Sequence, residues 1–282
     1  MAEISELRPT DGYRRSLLRL AAASLLLVLC LTGCAALPGA RRWGEDATIS
    51  PGWERVRAAA VNAARDPWVW APLAGAAGLQ IGSWDRKISD WAIRETPVFG
   101  SPQNAATWSD DLRNAAILTD TVTTLLAPSG DDARTWFVNK VEGYAVDLAA
   151  VGAANGVTDV LKVNVGRMRP SMTNTESFPS GHTTSAATSD RLAARNLAYF
   201  DLSAVTRQRL TYGLDALTIA TAWARVEAGA HYPADTLVGM AIGNFSANFF
   251  RDAFFDPAGD GRQDLAVVPT DGGLMLRYSI AF

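Results

Sequence analysis

Histidine and cysteine are the scarce residues of this 282-residue chain, two of each, and their positions say more than their number. Cys30 lies inside an apolar run and Cys34 just beyond it, so neither is placed to staple a folded domain with a disulfide. His182 and His231 are the only imidazoles, which leaves histidine chemistry two places to occur. Charge of one sign is missing as well: 26 Lys and Arg stand against 29 Asp and Glu, a net charge of -3, with a sequence pI near 5.5. No broad basic surface is left to release counterions, which argues against nucleic acid as a partner. A mean hydropathy of +0.03 argues equally against a polytopic membrane protein, whose spans would make the chain far more apolar. There is no internal repeat and no low-complexity block, and no strand-like alternation of any strength before about residue 264.

What is present begins with an address. Arg14, Arg15 and Arg19 precede the run from Leu20 to Leu31, which has signal-peptide length and is short for a spanning helix. It closes with Leu31-Thr32-Gly33-Cys34, which resembles the bacterial lipobox, where small residues admit the peptidase and the cysteine thiol is lipid-modified. The expectation is a signal peptide over residues 1–33 and an acylated Cys34 as the mature N-terminus; the alternative is an uncut signal anchor. Ala35 after the cysteine implies the outer membrane, since the usual inner-membrane retention signal is an Asp there. Acyl chains contribute roughly 0.8 kcal/mol per buried methylene, so such an anchor holds a domain at a membrane without a spanning helix.

Residues 34–66 read as a tether with Pro38-Gly39 and Pro51-Gly52, followed by a short amphipathic helix from Trp53 to Ala64. Pro67 to Ser83 is apolar and rich in Gly and Ala, which suits a tightly packed core helix better than a membrane-dipping one. Apolar residues at three- and four-residue spacing predict further helices at 84–95, 104–126, 132–161, 182–198, 206–228 and 233–254. The charges that interrupt them, among them Glu142, Asp147, Asp215 and Arg225, are too costly for lipid-facing spans. The fold class is therefore all-α, a helical domain over 67–255. The tail, 256–282, carries alternation from Leu274 to Phe282 and an Asp271-Gly272-Gly273 turn, the pattern of a β-hairpin packing on its own domain.

Three segments hold the chemistry. Lys162-Val163-Asn164-Val165-Gly166-Arg167-Met168-Arg169-Pro170 ends a long helix, and Gly166 and Pro170 turn the chain back so that Lys162 and Arg169 come near one another. Both are phosphate-matched cations; Arg167 reads as a solvated neighbour. Phe178-Pro179-Ser180-Gly181-His182 precedes an Ala-rich helix, with Ser180 where an N-cap belongs and Gly181 allowing close approach of an anion to the helix terminus. His182 then stands in the first turn, placed to donate a proton. In Arg225-Val226-Glu227-Ala228-Gly229-Ala230-His231-Tyr232-Pro233-Ala234-Asp235, Pro233 opens the last helix. Asp235 is placed to accept a bond from one nitrogen of His231 and so leave the other free to attack.

Together the segments resemble the type 2 phosphatidic acid phosphatase and vanadium haloperoxidase superfamily, whose pattern is Lys-x6-Arg-Pro, then Pro-Ser-Gly-His, then Ser-Arg-x5-His-x3-Asp. The resemblance implies a helical bundle. It implies that His231 is a nucleophile forming a phosphohistidine and oriented by Asp235, that His182 is the general acid, and that Lys162, Arg169, Ser180, Gly181 and Arg225 hold the phosphoryl oxygens. The family serine before the motif arginine is Ala224 here, which implies weaker phosphate binding. Phosphoryl transfer rests on positioning and charge neutralisation, which cations and a helix terminus supply without a metal, and no compact His/Cys/carboxylate cluster is visible to hold one.

The leading expectation is thus a metal-independent phosphatase, with no cofactor, acting on a phosphorylated lipid, a pyrophosphate or a small phosphate ester. Vanadate-dependent halide oxidation in the same pocket is one alternative, and an envelope lipoprotein that only binds anionic headgroups is another. Trp68, Trp70, Trp84 and Trp91 suit an interfacial surface or, more commonly for tryptophan at this density, the core.

Overall fold

Helix starts in this chain are written by side chains that cap them. Asp66 accepts from Trp68 N ahead of α2 (Pro67–Gln80), Ser101 from Asn104 N ahead of α4 (Pro102–Leu126), and Asp132 from Arg134 N and Thr135 N ahead of α5 (Ala133–Val165). Ser180 and Ser203 do the same for α6 (Gly181–Asn196) and α7 (Ala204–Glu227), each satisfying donors the helix leaves open. Pro67, Pro102 and Pro233 occupy first turns, where the missing N–H costs nothing. With α1 (Trp53–Arg65), α3 (Trp84–Glu95) and α8 (Pro233–Phe250), which continues into a π-helical turn at Arg251–Phe255, these make an all-α body.

The computed structural model describes residues 41–255 and the backbone of 263–270 and 273–280. The expected signal run, Cys34 and the side chains of the terminal strands lie outside the described residues. In the tail, β1 (Gln263–Thr270) and β2 (Gly273–Ile280) pair antiparallel, Gln263 opposite Ile280. Among the described residues no helix is long and apolar enough to cross a membrane.

The helices α6 and α8 form the tightest contact, and two glycines explain why. A Cβ on Gly239 would stand 2.6 Å from Ser180 O, and one on Gly243 2.6 Å from Thr184 O. Any larger residue would push the backbones apart, so these positions bring the Ser180–Thr184 turn directly against α8. Around this pair α4 and α7 pack against α6, α5 against both helices, and α2 against α8.

Two sequence expectations change. Trp43, in the segment expected as a tether, is built into the core: it is fully buried, stacks edge-on against Phe255 at 4.9 Å, and donates from Nε1 to Asn196 Oδ1 at 2.7 Å. Helix α2 is not a fully packed core helix. Val69, Pro72 and Ala76 are buried and Gly75 faces Leu237 of α8, whereas Trp70 and Leu73 are exposed. Trp84 and Trp91 are exposed too, so three of the four tryptophans lie at the surface. Helix α5 also leaves an apolar outer face, with Phe137, Val141, Tyr144, Leu148 and Val160 uncovered.

Candidate active site

The third motif is a tight helix-to-helix junction. Helix α7 stops at Glu227, Gly229 takes a left-handed conformation (φ 66°), and Ala230 N and His231 N both donate back to Arg225 O. Tyr232 and Asp235 then cap α8: Tyr232 N donates to Asp235 Oδ2 at 2.9 Å. Glu227 anchors the junction from below. Buried completely, it accepts from Val98 N and Phe99 N, each at 3.0 Å, and from Trp223 Nε1 at 2.5 Å.

His231 is buried at the centre, and its Nδ1–H donates to Ser177 O at 2.5 Å. This corrects the expected direct bond to Asp235. The carboxylate acts one step removed: Asp235 Oδ2 accepts from Ser177 Oγ at 2.5 Å, fixing the residue whose carbonyl orients the imidazole. A carbonyl only accepts, so it selects the tautomer with the proton on Nδ1 and leaves Nε2 as the lone-pair nitrogen.

The expectation that Arg167 is merely solvated is also overturned. Its Nη1 lies 2.5 Å from Asp235 Oδ1 and its Nη2 2.6 Å from Asp85 Oδ2, while the guanidinium stacks over the Tyr232 ring at 4.0 Å. Asp85, in the first turn of α3, also accepts from Ala234 N at 2.8 Å. Burial opposes the Arg167 charge, but Asp235 and Asp85 outweigh it and hold its pKa up. For Asp235 the order is reversed: burial raises its pKa, and Ser177 and Arg167 offset only part of that. Arg167→Met strips both carboxylates of their cation. It is expected to cost about 2–3 kcal/mol in urea unfolding, less than for a wholly buried pair because Arg167 is 28% exposed.

The cations of the other motifs converge on the same imidazole. Burial first, then Arg225, Arg169 and Lys162, press the pKa of His231 far below the usual histidine value, against the pull of the Ser177 carbonyl. Arg225 donates from Nη1 to Ser109 Oγ at 3.1 Å; burial, Arg169 and Arg113 bring its own pKa down to about 10, opposed by Asp110. Lys162 Nζ lies 3.2 Å from where a Cβ on Gly181 would stand, which places the first motif against the second. The Nε atoms of Arg169 and Arg225 are buried with no hydrogen-bond partner among the described residues. Buried guanidinium donors left unmatched in so cationic a place are suited to an anion that brings oxygens to them.

Ser180 is fully buried and caps α6, its Oγ accepting from Thr183 N and Thr183 Oγ1, while its own N donates to Asp235 O at 3.0 Å. Its side chain therefore builds the helix terminus that Gly181 opens. His182, in the first turn, is held at Nε2 by Asp110 and Arg113 of α4. Ala224 is fully buried in α7.

Every sequence-selected residue of the described chain thus lies at one end of the α5–α8 cluster. Sequence reading missed Ser177, Asp85, Asp110, Arg113 and the structural part of Arg167. Only Arg167, inside the first motif, carried a signal, as a third cation where two were assigned. Among the described residues no group of three or more His, Cys, Asp or Glu side chains is placed to hold a metal ion.

Residues 144–257 match the family model of the PAP2 superfamily. Among solved structures the chain is similar to the crystal structure of the first transmembrane PAP2 type phosphatidylglycerolphosphate phosphatase from Bacillus subtilis. The TM-score is 0.49 at 19% identity, covering 65% of this chain and 92% of that one. No curated protein matches the chain.

Proposed function

We propose that this chain, whose residues 144–257 match the family model of the PAP2 superfamily, is a metal-independent phosphatase working through a phosphohistidine. The observation that carries the reading is the convergence of Lys162, Arg169 and Arg225 on a buried imidazole, with two guanidinium Nε donors left unmatched beside it. A phosphate ester supplies the missing acceptors. His231 Nε2 attacks phosphorus, its tautomer set by Ser177 and Asp235, while the cations and the N-terminus of α6 neutralise charge growing on the equatorial oxygens. His182 protonates the departing alkoxide. Water then attacks the phosphohistidine, returning a proton to His182 and releasing inorganic phosphate.

The substrate we favour is a phosphorylated lipid. Exposed Trp70, Trp84 and Trp91, together with the apolar outer face of α5, suit work at a lipid surface. In this reading acylation at Cys34 tethers the enzyme to the envelope.

The test is rapid acid–base quench of the protein mixed with radiolabelled phosphatidic acid or aryl phosphate in EDTA. Label bound to protein that is lost in acid and kept in alkali is the expected result. Phosphate release without bound label, or release that EDTA abolishes, overturns the mechanism; faster turnover of the aryl ester overturns the preference for lipid.

A further inference from the structure

Two side chains of α4 that belong to no motif bracket His182. Asp110 Oδ1 lies 2.6 Å from Nε2, and Arg113 Nη1 lies 3.0 Å from the same nitrogen. Three residues apart, they share one face of the helix, and Arg113 Nη2 is 3.7 Å from Asp110 Oδ1. The two contacts demand opposite states. A carboxylate accepts from an imidazole nitrogen that carries hydrogen, whereas a guanidinium donates only to one that does not. One nitrogen cannot meet both demands at once. Nδ1 has no hydrogen-bond partner among the described residues and remains the nitrogen for the leaving oxygen.

We propose that Asp110 and Arg113 are positioning residues that set, in opposite directions, the pH at which His182 holds the proton it delivers. The consequence for turnover rests on the phosphatase reading above; the protonation of His182 does not. In the loaded state the imidazolium donates Nε2–H to Asp110. Its Nδ1–H passes to the alkoxide as the P–O bond breaks, giving alcohol and neutral imidazole. Nδ1 then takes a proton from the water that attacks phosphorus as the P–N bond breaks, which restores the imidazolium. Arg113 favours the other state, a neutral ring bare at Nε2.

The remaining charges around His182 come from the neighbouring helices. Arg225 of α7 opposes protonation, as Arg113 does, and Lys162 of α5 stands beside Gly181, one residue away. Burial leads in holding the free imidazole down to about 4, Arg225 and Arg113 add to it, and Asp110 is the group that pulls the other way. The sign follows: the acid is loaded below its pKa, and activity is lost as pH rises through it. Bound phosphate dianion raises that pKa and brings the loss into a higher pH range.

With two histidines in the chain, NMR follows each C2–H resonance separately, and His231→Ala assigns them. Asp110→Asn is expected to lower the titration midpoint of His182, and Arg113→Gln to raise it, by about one unit each, since both groups are partly exposed and solvent screens them. Asp110→Glu, which keeps the charge, returns most of the loss. The alkaline limb of kcat on aryl phosphate is expected to move in the same two directions. Midpoints that stay in place, or that move together, overturn the proposal, as does lost activity with an unmoved midpoint. Opposite shifts in a protein that releases no phosphate from any ester would leave the proposal standing and sink the phosphatase reading instead.

Discussion

His231→Ala is expected to reduce phosphate release by at least about 10⁴-fold on any substrate the wild type accepts, with no protein-bound label. The size of the effect follows from what is removed. In the proposed mechanism the imidazole at the focus of Lys162, Arg169 and Arg225 is the nucleophile, and water cannot replace it where the cations and the Ser177–Asp235 support have been arranged around its Nε2. The direction of the pH effect follows from the same burial. A nucleophile must be unprotonated, and His231, whose pKa lies far below the ordinary value, is ready to attack throughout the range in which histidines normally titrate. The acidic limb of kcat/KM is therefore expected to lie below the ordinary histidine value of about 6.5, and a limb at that value would contradict this account. Full activity in His231→Ala would remove the nucleophile from the mechanism altogether.

The second large effect has two signs. Arg225→Met is expected to lower kcat/KM by about 10²–10³-fold, because a guanidinium aimed at the growing negative charge is worth several kcal/mol in a water-poor site. The same change is expected to raise the melting temperature of the ligand-free protein. Burial first, then Arg169 and Arg113, bring the pKa of Arg225 down to about 10, and its Nε has no hydrogen-bond partner among the described residues. Methionine fills similar volume without a charge to desolvate. Inorganic phosphate discriminates further: it should raise the melting temperature of the wild type by mass action and leave the variant nearly unmoved. A variant less stable than wild type in the absence of phosphate would show that Arg225 is chiefly a structural residue.

The helices were legible in the sequence because their apolar spacing is regular and their caps are local. Asp66, Ser101, Asp132 and Ser203 stand next to the turns they satisfy, and nothing distant is needed to read them. The proposed site residues were legible for another reason: three short motifs carry Lys162, Arg169, Ser180, Gly181, His182, Arg225, His231 and Asp235 in one order. What holds these residues in place was not. Arg167 meets Asp85 across 82 positions, and Asp110 meets His182 across 72; contacts between such distant residues leave no periodicity to detect. Asp235 illustrates a finer failure. Its spacing from His231 suggested a direct bond, yet the loop returning from Arg169 inserts Ser177 between them. Trp43 was misplaced for the opposite reason, since a short stretch with Arg41-Arg42 and Pro38-Gly39 around it looks like linker until Asn196 and Phe255 receive it.

The glycine contact between α6 and α8 reaches beyond packing. His182 stands in the first turn of one of these helices and His231 two residues before the other, so the spacing between the proposed acid and nucleophile is set by backbone against backbone at Gly239 and Gly243. Heating should therefore not yield a loosened protein with partial turnover. Activity and the cooperative loss of helix should disappear together, and the enzyme should behave as a single thermal unit whose chemistry ends where its architecture does.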